Sequence, residues 1–231
     1  MSLGLHNENR RQTWLKKTLG SLRAGARLLD AGAGELSNKK HCLHLNYVSQ
    51  DFAMYDGSGD GKGLQMQSWD NTKLDIVSDI LDIPEPDESF DAVLCSEVLE
   101  HLPEPSRVFP EFSRLLKSGG SLIITAPFCS LTHFSPYHYG SGFNRYFYEY
   151  HLKKNGFDII EITPNGSFFE FLAQEIMRLP YIAEKYSNYK VGYLDKKILD
   201  LVLSLLRRMS RNDQGSQELL CFGYHVLAKK K

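Results

Sequence analysis

Glu97, Glu100 and His101 are spaced i, i+3 and i+4, which on a helix gathers two carboxylates and an imidazole on one face. Two chemistries suit such a set. His101 is a natural proton acceptor at neutral pH, with Glu97 as the second catalytic candidate. The same groups can also hold a divalent cation, with His133 or His138 as a further ligand. They serve equally without one, with His101 lining a pocket, and the site is expected to be metal-free.

A second constellation lies upstream. Arg27-Leu28-Leu29-Asp30 reads as a short buried strand that ends in Ala31-Gly32-Ala33-Gly34. Glycines at a strand-to-helix turn let the backbone bend tightly and let a ligand approach where a Cβ would stand. A lone Gly-x-Gly also serves purely structural turns. Asp51, however, closes the next strand, Asn46–Asp51, 21 residues after Asp30. A carboxylate there can accept both hydroxyls of a ribose.

The elements that must position these residues alternate. A helix is expected from Asn9 to Leu19 and a short one from Glu35 to about Leu43. Asp75–Asp79, Phe90–Cys95 and Ser121–Ala126 read as the third to fifth strands, with a helix from Glu104 to Lys117 in which Pro110 is awkward. Phe143 to Asn155 is a helix ended by Gly156; Phe157–Thr163 and Leu219–Ala228 complete seven strands. Short apolar strands alternating with helices predict a mostly parallel α/β sheet covered on both faces. Between Pro164 and Gln217 the pattern changes. Ser167 and Glu170 form a capping box for a helix running to Pro180, and a second helix runs from about Leu194 to Arg211.

Composition bounds the function. The 231 residues carry 27 Lys and Arg against 28 Asp and Glu, so a globally basic nucleic-acid binder is not expected. Cys42, Cys95, Cys129 and Cys221 are widely spaced and read as buried reduced thiols. The polar stretch Met1–Arg11 has no apolar segment of signal type, and no run of 18 apolar residues occurs, so a cytoplasmic protein is expected.

The order of these motifs, followed by Ile80-Leu81-Asp82-Ile83-Pro84, Ser89–Leu102 and Leu116-Lys117-Ser118-Gly119-Gly120, resembles the class I S-adenosylmethionine-dependent methyltransferases. It is similar to the broad group that contains the ubiquinone and menaquinone biosynthesis methyltransferases. The resemblance covers roughly two thirds of the chain, Arg27 to Thr163 plus the last strand. It implies a Rossmann-like seven-stranded sheet with an antiparallel last strand, in a single domain over 1–231 with a helical insertion at 164–217. It implies S-adenosyl-L-methionine as cofactor and the following contacts. Asp30, Gly32 and Gly34 line the methionine part; Asp51 binds the ribose and Phe52 lies against the adenine; Asp79 and Ile80 hold the adenine edge; Cys95 and Ser96 lie beside the sulfonium. One departure is Leu36, where the family often has a third glycine. The E-x-x-E-H letters are similar to the metal motif of small-RNA 2′-O-methyltransferases and to a segment of the ubiquinone O-methyltransferases.

A nicotinamide oxidoreductase is the rival on the same fold, but its loop usually reads G-x-G-x-x-G, and here the sixth position is Ser37. A cofactor-binding regulatory protein without turnover is the alternative of another class. The acceptor side is expected from Phe128 to Tyr150, which holds nine of the 27 aromatic residues. His133, Tyr137, His138 and Arg145 are its candidate substrate contacts, and Phe147 and Tyr150 could instead be helix core. No D/N-P-P-Y/F motif follows the fourth strand, which by resemblance counts against an adenine or amide nitrogen acceptor. The expected reaction is methyl transfer to a small molecule, lipid precursor or sugar at oxygen, with no nucleic-acid partner. Segment 190–211 has six basic residues against Asp195 and Asp200 around an apolar centre, and reads as a lid or packing helix, a homodimer contact or a weak membrane-surface contact.

Overall fold

The computed structural model describes residues 3–231; the first two residues of the polar N-terminal stretch lie outside it. Among the described residues the chain forms a seven-stranded sheet in the order β3-β2-β1-β4-β5-β7-β6. The strands are β1 (Arg27–Ala31), β2 (Asn46–Asp51), β3 (Ile76–Val77), β4 (Phe90–Ser96), β5 (Leu116–Pro127), β6 (Phe157–Asn165) and β7 (Gly223–Lys230). β1 pairs in parallel with β2 and β4, β4 in parallel with β5, and β7 runs antiparallel to β5. The chain leaves β1 toward β2 and β3, then returns to lay β4 on the other side of β1. That reversal is the switch point at which open α/β sheets bind ligands beyond their strand ends.

The central strands are apolar because both faces are covered. Ala92, Val93, Leu94 and Cys95 of β4 are fully buried. One cluster joins Leu15 and Leu19 of helix α1 (Asn7–Gly20) to Leu28, Ala92, Leu94 and Ile123 of the sheet, with Cys42 and Leu45. Helix α2 (Val108–Leu115) buries Val108, Phe109, Phe112 and Leu115. Each such side chain contributes about 1.5–3 kcal/mol on leaving water.

Several elements differ from the sequence expectation. No α-helix follows the glycine turn; Lys39–His41 makes a single 3₁₀ turn. Leu99–His101 is likewise a 3₁₀ turn. β3 has two residues rather than five, so Asp79 lies beyond its end. α2 is shorter than expected at both ends, because Pro105–Arg107 is 3₁₀ and Leu116 already pairs with Phe90 in β5. Pro110 sits in its first turn, where the missing N–H has no intrahelical partner to lose. Helix α3 spans Arg145–Lys154; its core face is Tyr148 and Leu152, and Tyr150 is exposed. Ser216–Glu218 is 3₁₀, and β7 begins only at Gly223. Cys129 is exposed; the other three thiols are buried.

The chain divides into two compact units, one comprising Gln12–Thr163 with Gly223–Lys231 and the other the start of the chain to Arg11 with Pro164–Phe222. The helical insertion expected at 164–217 falls in the smaller unit, where its contacts cluster with the N-terminal residues. In that smaller unit helix α4 (Phe168–Ser187) continues through Pro180, and α5 (Tyr193–Ser210) follows. Ser167 stands at the N-cap of α4 without a side-chain cap bond. Glu170 accepts from Arg10 at 2.7 Å instead of closing the expected box.

Asp30 is a buried acid in β1. The Tyr47 hydroxyl donates to its carboxyl at 2.6 Å, and burial pushes its pKa up to about 7. The native state therefore keeps a proton that the unfolded chain releases near pH 4. That contribution to stability is complete below about pH 4 and is lost as pH rises to about 7. Urea unfolding from pH 5 to 8 is expected to show stability falling through this window, at no more than about 1.4 kcal/mol per pH unit from this group. Asp30→Asn is expected to flatten the slope; an unchanged slope overturns the assignment.

Leu36 gives a second expectation, because its backbone is left-handed at φ +61°. A branched side chain pays about 1–2 kcal/mol there. In urea melts Leu36→Val is expected to be less stable than Leu36→Gly; the reverse order would mean that the leucine side chain, not the backbone, sets the energy.

Candidate functional site

The glycine turn leaves β1 with positive φ at Gly32 (+80°) and Gly34 (+51°). A Cβ on Gly32 would stand 2.4 Å from Val98 Cγ2, and one on Gly34 2.5 Å from Trp69 Cζ2. Leu36, in place of the third glycine, keeps the left-handed conformation that glycine would supply. The turn is latched to β2. Gly32 and Ala33 each donate their N–H to the Gln50 carbonyl at 2.8 Å, and Gly34 donates to Asp51 Oδ2 at 3.0 Å.

Asp51 is oriented from its other oxygen as well, since Oδ1 accepts the Ala53 N–H at 2.9 Å. Each carboxylate oxygen has room for a second donor, so the group could receive two vicinal hydroxyls. Phe52 beside it is 40% exposed and meets the Tyr137 ring edge to face. These residues fit a nucleoside. Asp30 lies deeper: its carboxyl is fully buried and bound by Tyr47, so it braces the turn from within the sheet. Asp79 is exposed and accepts the Leu81 N–H, and the Ile80 side chain is buried. Cys95 is buried with its thiol pushed up by burial. The Ser96 and Thr125 hydroxyls bond at 2.8 Å and tie the ends of β4 and β5.

The expected helix face does not form. Glu97 has φ +56° and donates its N–H to Thr125, before the 3₁₀ turn that carries Glu100 and His101. The structure instead joins Glu100 and His101 to His133, with one ligand atom from each lying within 4.8 Å of the others; Glu97 is outside this set. His101 Nε2 is 3.8 Å from Glu100 Oε1, and His133 Nε2 is 4.0 Å from the same atom. His138 is adjacent, with its ring 4.7 Å from His133 and 5.9 Å from His101. His101 Nδ1 meets the Tyr137 carbonyl, which can only accept. The proton therefore sits on Nδ1, and Nε2 carries the lone pair toward Glu100. Burial, and then the neighbouring His133, push the His101 pKa down to about 4; burial also lowers His138. Two imidazoles and a carboxylate at these separations could hold a divalent cation.

Two loops frame this cluster. Glu100 O accepts from Tyr139 and Gly140 N–H, which hangs the segment after β5 on the 3₁₀ turn. On the other flank Leu64 donates to Thr132 O and accepts from Phe134 N–H, both at 3.0 Å. Asp60 N–H and Gln65 Nε2 donate to Ser135 O. Phe134 is thereby stacked between Tyr55 (4.5 Å) and His101 (5.2 Å), with Trp69 edge-on to both Tyr55 and Phe134. This wall joins the glycine turn to the histidines. Sequence reasoning missed Tyr55 and Trp69 because the segment after β2 reads as loop; the only hint was a pair of aromatic residues flanking a glycine-rich run. Arg145 is elsewhere, exposed at the start of α3 and bound to Glu149 at 2.6 Å.

Comparison with known proteins agrees with this geometry. Residues 29–124 match the family model described as a methyltransferase domain. The ubiquinone biosynthesis O-methyltransferase of Xanthomonas oryzae pv. oryzae is 35% identical over 105 residues, covering 44% of this chain and 43% of that protein. The chain thus matches less than half the length of that relative. The demethylmenaquinone methyltransferase of Clavibacter sepedonicus is 28% identical over 163 residues, 68% of this chain and 60% of its own. In three dimensions a SAM-dependent methyltransferase from Archaeoglobus fulgidus superposes with a TM-score of 0.59 at 16% identity, over 96% of this chain and 94% of that one. The stretch from 29 to 124 thus matches a methyltransferase-domain model, and the seven-stranded sheet has the Rossmann-like fold of solved S-adenosylmethionine-dependent methyltransferases.

Proposed function

We propose that this protein transfers a methyl group from S-adenosylmethionine to a hydroxyl oxygen of a small-molecule acceptor. The observation that carries the reading is the neutral His101 imidazole, its Nε2 lone pair set beside Glu100 and joined to the glycine turn by the Phe134–Tyr55–Trp69 wall. The relatives whose names specify an O-methyltransferase support oxygen as the acceptor atom.

When bound, S-adenosylmethionine supplies a methyl group on a sulfonium, which is already an activated leaving group. The protein's task is then alignment and removal of one proton. The turn at Gly32 and Gly34, latched to β2, orients Asp51, which accepts the ribose hydroxyls, and Phe52 with Asp79 and Ile80 borders the adenine. Ser96 and Cys95 border the methionine end. His101 Nε2 takes the acceptor hydroxyl proton as the oxygen attacks. Its low basicity matches transfer during the displacement, when the hydroxyl becomes strongly acidic. The Glu100 carboxylate steadies the imidazolium as it forms. His133, Tyr137 and His138 line the acceptor side.

The set Glu100, His101 and His133 supports a second reading of the same step, in which these residues hold a divalent cation that lowers the pKa of a coordinated hydroxyl.

Calorimetry with S-adenosylmethionine and with NADH tests the cofactor. Binding of the former alone is expected, weakened about tenfold or more by Asp51→Ala (about 1.4 kcal/mol); binding of NADH alone overturns the reading. Binding without transfer to any hydroxyl acceptor would favour the regulatory alternative.

The catalytic assignment rests on a pair of variants. His101→Gln is expected to lower kcat by about 10²–10⁴ with cofactor affinity unchanged, whereas Glu97→Gln, outside the cluster, changes it far less. Equal losses in the two would overturn the placement of the base. Activity lost in chelator and restored by magnesium or manganese supports the cation reading; activity that survives chelator removes it.

A further inference from the structure

The smaller unit carries a surface that methyl transfer does not use. Helix α5 is apolar on two sides. Val202, Leu203 and Leu206 turn inward, yet Leu194, Ile198, Leu201, Leu205 and Met209 form a second stripe that is open to solvent. Their spacing of four, three, four and four keeps them on one side of an 18-residue helix. Leu194 is 75% and Leu201 67% exposed, more than an isolated surface leucine needs to explain. Tyr181, Tyr186, Tyr189 and Tyr193 are each more than half exposed at the end of α4 and the start of α5.

Cations accompany the apolar groups. Lys185 lies over the Tyr181 and Tyr186 rings at 5.8 and 5.2 Å, and Lys197 over Tyr193 at 5.5 Å. From 190 to 211 the six basic residues face two acids, and one of these, Asp195, is occupied by the Gly192 N–H and the Tyr189 hydroxyl at 2.8 Å each. Among the described residues no helix is long and apolar enough to cross a membrane. An amphipathic stripe, bordered by Lys and Arg and ringed by tyrosines, is instead suited to lying in the headgroup region, where each cation near an anionic surface adds about 1 kcal/mol.

We propose that the α4–α5 surface docks on an anionic lipid bilayer, with the Leu194–Met209 stripe entering the headgroup boundary and the flanking lysines and arginines pairing with lipid phosphates. Charge selects this occupant over a second copy of the chain. In a two-fold pairing of this face, Lys197 and Arg208 would meet the same cationic border of the partner copy with few acids to offset them. The inference does not depend on the methyltransferase reading, because its readout is attachment and not turnover.

The 231-residue chain is sedimented with vesicles of phosphatidylcholine containing about one third phosphatidylglycerol, and with phosphatidylcholine alone. Binding to the anionic vesicles is expected to be at least tenfold stronger, and to fall steeply between about 0.05 and 0.5 M salt, as the Debye length shortens and the added ions screen the lysines and arginines from the lipid charge. Leu194→Ser/Leu201→Ser is expected to abolish it, and Lys197→Glu/Arg208→Glu to weaken it at least tenfold, with unchanged helical circular dichroism, since all four positions are exposed. No binding to anionic vesicles, equal binding to neutral ones, or a dimer in sedimentation equilibrium that the leucine variant dissociates would each overturn the proposal.

Discussion

The latch between the end of β1 and the end of β2 organises the site. Gly32, Ala33 and Gly34 point successive N–H groups at Gln50 and Asp51, and this is open only to a chain whose residues 32, 34 and 36 take positive φ. Leu36, left-handed just after the turn, interrupts a helix at that point. The chain instead passes through turns to the 3₁₀ segment at Lys39–His41 and stays close to the sheet. Val98 packs against Gly32 and Trp69 against Gly34, so no larger residue could replace either glycine without moving them.

The sheet was legible in the sequence because strands covered on both faces must be short and continuously apolar, and few other segments of the chain meet that demand. β2 matches its expected limits, and β1 and β4 extend one residue further. Helices were less legible wherever a local backbone demand outweighed spacing. Glu35–Leu43 has helical letters, yet Leu36 is left-handed; Glu97–Leu102 has them too, yet Glu97 is left-handed where β4 ends on Thr125. The E-x-x-E-H spacing therefore gives no helix face at Glu97, whereas Glu100 and His101 come together with His133 through the 3₁₀ turn and the segment after β5. The long-range partners were partly visible, since His133 and His138 were named as further candidates. Tyr55 and Trp69 were not, because no period marks a loop residue that packs through tertiary contacts.

The larger unit also explains how a buried histidine stays neutral. His101 lies among Phe134, His133 and Glu100, and its Nδ1 proton is committed to a carbonyl. Desolvation, and then the neighbouring His133, oppose charge on the ring, while the bond to the Tyr137 carbonyl favours it; burial dominates, so the ring remains an acceptor near neutral pH. A solvated histidine in the same place would be partly protonated below pH 7 and would lose the lone pair on which either reading of the chemistry relies.

The segment after β5 is fastened mainly by peptide groups. Tyr139 and Gly140 bond to Glu100 through the main chain, and residues 132–135 bond to Leu64, Asp60 and Gln65 largely through theirs. Backbone fastening is indifferent to most side-chain identities. The lining at Tyr137, Tyr139 and His138 can thus be exchanged by mutation while the frame stays in register. A scaffold of this kind separates inheritance of shape from inheritance of specificity, so relatives that share the turn and the sheet can diverge in the molecules they accept without first relearning how to fold.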